Sequence, residues 1–180
     1  MIEYRTLAIP QQTADAVRTR LTSPGYGHPA HVETAHGYGP CRLCLRFFVV
    51  GAERRILFTY DPFRETGAAP LPGPIYIHQA DCPRYPEDAG FPAHLLEHPL
   101  TLAAYGQHRA LLAEETVRDG AVEPVLQRLL ARREVAYLHV RDTDAGCFDL
   151  RIERAGTAAG GERSEAPGAG LRAAASAGGG

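Results

Sequence analysis

Apolar positions along this chain recur in two periods, one of two residues and one near three and a half, and the changes between them mark out its elements. Residues 2–9 (IEYRTLAI) predict an opening strand. Thr13 then stands where a helix can be capped, with Ala14, Val17 and Leu21 on one face and Ser23-Pro24-Gly25 to stop it. Residues 23–40 are rich in Gly, Pro and His and predict a loop. Two apolar runs follow at 45–50 and 55–60, separated by Gly51-Ala52-Glu53, which predicts a β-hairpin. A Pro/Gly-rich link ending in Pro72-Gly73-Pro74 leads to a short strand at 75–78, and beyond it only one helical turn is expected, at 92–97.

Residues 100–105 and 110–117 predict a strand pair around Gly106-Gln107-His108. The clearest helix is 122–133, where Val122, Val125, Leu126, Leu129 and Leu130 form one apolar stripe, with Glu123 near the positive end and Arg132 and Arg133 at the negative end. Residues 135–140 are apolar on both faces, as in a central strand, whereas Phe148, Leu150 and Ile152 alternate with Asp149, Arg151 and Glu153, as in a half-exposed strand. These two strands are expected to lie antiparallel with the helix leucines packed on them. Strands outnumber helices and follow one another as hairpins, so the fold class is α+β: a single domain over 1–155 with a largely antiparallel sheet and two main helices. Residues 156–180 are almost all Ala and Gly, with Leu171 their only large aliphatic side chain, and are expected to be a disordered tail.

Composition narrows the class of function. The 180 residues carry a formal net charge of −2, which suits one domain with a core of ordinary size. All of the basic residues are Arg, and Lys, Asn and Trp do not occur, a bias expected of a GC-rich bacterial coding sequence. The arginines are interleaved with 21 acids and form no basic run, so the electrostatic footprint of a nucleic-acid binder is missing. The N-terminal stretch has neither a basic leader nor a long apolar run, and no window reaches the length of a membrane span. A soluble cytoplasmic protein is expected, with no nucleic-acid or membrane partner. In a reducing compartment its four cysteines would serve as free thiols, metal ligands or redox groups rather than as a disulfide framework.

Four blocks resemble a bacterial family, the domain-of-unknown-function family 1203. They are Pro40-Cys41-Arg42-Leu43-Cys44-Leu45, the YDPF at 60–63, the GPIYIH at 73–78 followed by Cys82, and VAYLHVRDTDAGCFDLRIER at 135–154. The resemblance spans most of the expected domain. It implies that the family's cysteine pattern falls on Cys41 and Cys44, its histidine and following cysteine on His78 and Cys82, and its glycine-cysteine-aromatic step on Gly146, Cys147 and Phe148. It implies no activity. The loop at 23–39 and the Ala/Gly tail depart from the family pattern.

The candidate chemistry is concentrated in residues 28–44, which hold five potential metal ligands: His28, His31, His36, Cys41 and Cys44. Cys41-x-x-Cys44 places two thiolates within reach of one ion, and His78-x-x-x-Cys82 offers an imidazole and a third thiolate, the four ligands that tetrahedral zinc prefers. A zinc knuckle usually has Gly just after its second Cys, where this chain has Leu45 and an apolar run. The plain alternative is that the cysteines are small buried hydrophobes. A thioredoxin-like redox pair fits poorly, because that chemistry needs a helix after the second cysteine and RFFVV follows here. His139 shares a face with Val135 and Tyr137 and reads as a hydrogen-bonded core histidine. A Cys147–His139 nucleophile pair across a hairpin is the catalytic candidate. Two functions are thus weighed: a non-catalytic accessory or binding protein with a structural zinc site at Cys41, Cys44, His78 and Cys82, or a small enzyme using a Cys/His pair on an unknown small molecule.

Overall fold

A computed structural model describes residues 1–64 and 71–156, and among them are eight strands and two α-helices. The larger sheet has the order β1-β8-β7-β5-β6, with β1 at Tyr4–Leu7, β5 at Leu100–Tyr105, β6 at Leu111–Val117, β7 at Tyr137–Asp142 and β8 at Phe148–Arg154. Every pairing in it is antiparallel, including β7 with β8, where Leu138 faces Ile152 and Val140 faces Leu150. Helix α2, Val122–Leu130, buries Val122, Leu126, Leu129 and Leu130 against Leu102, Leu138, Val140 and Leu150 on one face of that sheet. The stripe read from the sequence is the packing surface. The helix stops at Leu130 instead of Arg133 because Arg154 collects the carbonyls that end it, donating to Leu130 O at 2.7 Å, Arg132 O at 2.7 Å and Val135 O at 2.8 Å.

The smaller sheet has the order β2-β3-β4, also antiparallel, from His31–Thr34, Arg54–Tyr60 and Gly73–His78. Helix α1, Gln11–Arg20, covers it with Ala14 and Val17, which pack among Ile56, Ile77 and three of the cysteines. The α+β class and the antiparallel pairing are as expected, but the strands divide into two sheets with separate cores.

Three sequence expectations are corrected here. The hairpin between 45–50 and 55–60 does not form: β3 pairs with β2 and β4, and the 45–50 run makes a single bridge, Phe47 to Pro40. That run is apolar because its side chains enter two different cores, Leu45 the α2 core and Phe48 the α1 core. The loop at 23–40 contains β2, whose four residues carry too little apolar character to announce a strand. Helix α1 begins after Pro10 with Thr13 inside it, and Leu21 is its exposed left-handed cap (φ 49°) rather than part of the buried face.

The face of the larger sheet opposite α2 carries Ala103, Tyr105 and Tyr137, and Phe63 of the YDPF segment packs on them. Asp61 fixes that segment by accepting N–H groups from Phe63 at 3.0 Å and Leu71 at 3.1 Å. No helix among the described residues is long and apolar enough to cross a membrane. The expected tail falls almost wholly outside the described residues.

Candidate metal centre

The Cys41–Cys44 segment forms a tight turn closed by two backbone hydrogen bonds, Leu45 N–H to Cys41 O and Cys41 N–H to Arg46 O, both 2.8 Å. Leu45 takes the left-handed conformation (φ 57°) in which a knuckle normally places Gly. Its side chain explains the exception, for it is fully buried in the α2 core. The turn sits on the outer edge of β4, where Arg42 N–H donates to Tyr76 O at 2.9 Å. That register brings the end of β4 alongside, so His78 N–H lies 3.4 Å from Cys41 Sγ.

Cys82 is delivered by the chain leaving β4. Arg18 of α1 holds that chain in place, its Nε 3.1 Å from His78 O and a terminal nitrogen 3.4 Å from Cys82 Sγ. Cys41 Sγ and Cys82 Sγ are 3.8 Å apart, and Cys44 Sγ is 3.4 Å from His78 Nδ1. One ligand atom from each of the four residues lies within 4.8 Å of all the others, and all four residues are buried. Zinc bonds of 2.0–2.3 Å in a tetrahedron imply ligand separations of about 3.8 Å for two sulfurs and about 3.5 Å for sulfur and nitrogen. The two contacts match those edges.

The electrostatics of the four groups favour negative charge on Cys44. Hydrogen bonds from Cys41 and Cys82, aided by His78 and the Arg46 N–H, hold its thiol far below the usual range despite burial. Burial and the same sulfur contacts push Cys41 far up. Burial alone would discharge His78, but its contacts with Cys44 and Cys82 outweigh that and raise it to about 10. On the other side of the ring, His78 Nε2 lies 3.2 Å from Glu53 Oε2, and Glu53 is itself fixed by the Val49 N–H at 2.7 Å. A carboxylate behind a ligand histidine sets its orientation and which nitrogen faces the ligand pocket. Neither Glu53 nor Arg18 stood out in the sequence, since their partners are 25 and 60 or more residues away.

The remaining sequence candidates do not join this cluster. His28, His31 and His36 are exposed, and the last two each sit 3.8 Å from a carboxylate oxygen of Glu33. Cys147, at the start of the β8 side of the β7–β8 turn, donates to Ala145 O at 3.7 Å, and burial raises its thiol. His139 is fully buried inside a box of rings, with Phe63 at 4.7 Å, Phe148 at 5.0 Å, Tyr137 at 5.1 Å and Tyr105 at 5.3 Å between centroids. It is a core histidine, but neither ring nitrogen has a hydrogen-bond partner among the described residues, so no thiol lies within reach of it. Burial keeps it neutral, with its pKa well below the usual value.

Residues 38–154 match a family model described as "Protein of unknown function (DUF1203)", a span that includes all four clustered residues. No curated protein and no solved structure matches the chain.

Proposed function

We propose that this chain, which belongs to the DUF1203 family, is a non-catalytic accessory or binding domain whose fold is stapled by one zinc ion on Cys41, Cys44, His78 and Cys82. The observation that carries the reading is the convergence of three sulfurs and one ring nitrogen within 4.8 Å. Soft thiolates with one imidazole in a tetrahedron suit zinc among the common divalent metals. Four protein ligands in a buried site leave no coordination position for water or substrate, which makes the role structural. The low pKa of Cys44 and the carboxylate behind His78 are what such a ligand set needs before the ion arrives. Zinc with three thiolates carries an excess negative charge, and the Arg18 guanidinium beside Cys82 offsets it. Four free cysteines accord with a reducing bacterial cytoplasm.

The test is elemental analysis of protein purified without a metal-binding tag. About one zinc per chain is expected, with a fall in thermal midpoint on chelation that added zinc restores. Metal-free protein whose midpoint ignores added zinc would end the proposal.

A further inference from the structure

A second feature lies on the β1–β8 edge of the larger sheet, where a cavity of about 190 Å³ opens beside the YDPF segment. Five charged side chains that line it form one chain of ion pairs. Arg84 meets Glu87 at 2.7 Å, Glu87 meets Arg5 at 3.2 Å, Arg5 meets Glu153 at 2.9 Å and Glu153 meets Arg151 at 2.5 Å. Three cations alternate with two anions, so the lining carries an excess positive charge, and each end of the chain is a guanidinium with a single acid partner among the described residues. Both ends are held rigidly. Arg84 also donates to Ile9 O at 3.1 Å and Ala8 O at 2.9 Å, while Arg151 lies over the Tyr137 ring at 4.0 Å. The buried Nε of Arg151 has no hydrogen-bond partner among the described residues. Ile9, Tyr60 and Phe148 add apolar surface to the lining.

We propose that this cavity binds a small organic anion, a carboxylate or phosphate head on a compact apolar body, with the head drawn to the excess positive charge that Arg5, Arg84 and Arg151 give the lining. Fixed guanidinium groups recognise such heads by charge-assisted hydrogen bonds. The volume exceeds that of a cavity known to hold benzene, about 150 Å³, so one ring or a short branched chain fits. The lining includes none of the four residues of the metal centre.

Calorimetric titration of the zinc-replete full chain with benzoate, phenyl phosphate, inorganic phosphate and neutral benzamide tests it. Benzoate or phenyl phosphate should bind at least about tenfold more tightly than benzamide, the ratio expected from charged against neutral hydrogen bonds. Whichever of the two binds more tightly identifies the head group, and inorganic phosphate should bind more weakly than phenyl phosphate because it leaves the apolar surface uncovered. Arg151→Gln should weaken the better probe by about tenfold, and Glu153→Gln, which removes a competing acid, should tighten it. Arg128→Gln, a surface change elsewhere, should do neither. Equal binding of benzoate, phenyl phosphate and benzamide, no binding of any probe, no weakening by Arg151→Gln, or no tightening by Glu153→Gln would overturn the proposal. Zinc content, measured in the same samples, is expected to be unchanged by Arg151→Gln, so failure here is separable from failure of the metal reading.

Discussion

Replacing Asp149 by Asn should remove a pH dependence that the wild-type fold carries in the acid range. The Asp149 side chain is fully buried on β8, with Oδ1 2.9 Å from an Arg42 guanidinium nitrogen. Arg42 divides its attention, for it also donates to Phe148 O at 2.8 Å and Pro40 O at 2.6 Å. Burial raises the Asp149 carboxyl, Arg42 lowers it, and nearby Asp142 raises it again, so that it moves from 3.8 to about 6. The folded state therefore keeps a proton where the unfolded chain has released it. The resulting stabilisation is complete below pH 3.8 and is lost as pH rises through about 6. At 1.36 kcal/mol per pH unit, that interval amounts to about 3 kcal/mol. Asn does not titrate, so the difference in unfolding free energy between wild type and D149N should fall by about 3 kcal/mol between roughly pH 4 and pH 7. Urea unfolding of both proteins across that range, with equal excess zinc, measures it, because titrations common to both cancel. A difference that stays flat, or that increasingly favours wild type at higher pH, would show that the Arg42 pair overrides burial and refute the reasoning.

Leu129→Ala should cost about 2–5 kcal/mol in urea unfolding, because Leu129 is 1% exposed beneath α2; a loss under about half a kcal/mol would mean the stripe is misplaced. Glu53→Gln should weaken zinc by about 10–100-fold in competition with a chromophoric chelator, through loss of the carboxylate behind His78. An unchanged affinity would remove Glu53 from the site. Leu45→Gly should lower the thermal midpoint although it relieves a left-handed backbone worth about 1–2 kcal/mol, since emptying a fully buried leucine site costs about 2–5 kcal/mol. A raised midpoint would show that backbone strain dominates there.

The elements that were legible in the sequence are those whose side chains obey a single partner surface. Helix α2 shows its stripe because one sheet face receives it, whereas β8, whose alternation predicts a half-exposed strand, buries Asp149 and Glu153 beside Arg42 and Arg5. The run after Cys44 misled for the opposite reason: Leu45 and Phe47 pack in one core and Phe48 in the other while Val49 and Val50 are exposed, and sequence periodicity has no signature for that. The ligands themselves were visible as residue types, but their convergence depends on one edge contact, Arg42 to Tyr76, that joins segments 34 residues apart in sequence. Burial of His139 could be read from its strand, whereas its lack of a hydrogen-bond partner depends on rings brought from Phe63 and Phe148.

The five residues from Cys41 to Leu45 belong to both halves of the molecule. Cys41, Leu43 and Cys44 sit in the α1 core, Leu45 in the α2 core, and Arg42 reaches across to β8. A segment so placed cannot come loose from one layer while it stays seated in the other. Opening there exposes both interiors at once, so its free energy approaches that of global unfolding. Amides of β4 and β7, which lie in different sheets, should then exchange with solvent through the same rare event, and the two layers should behave as a single cooperative unit.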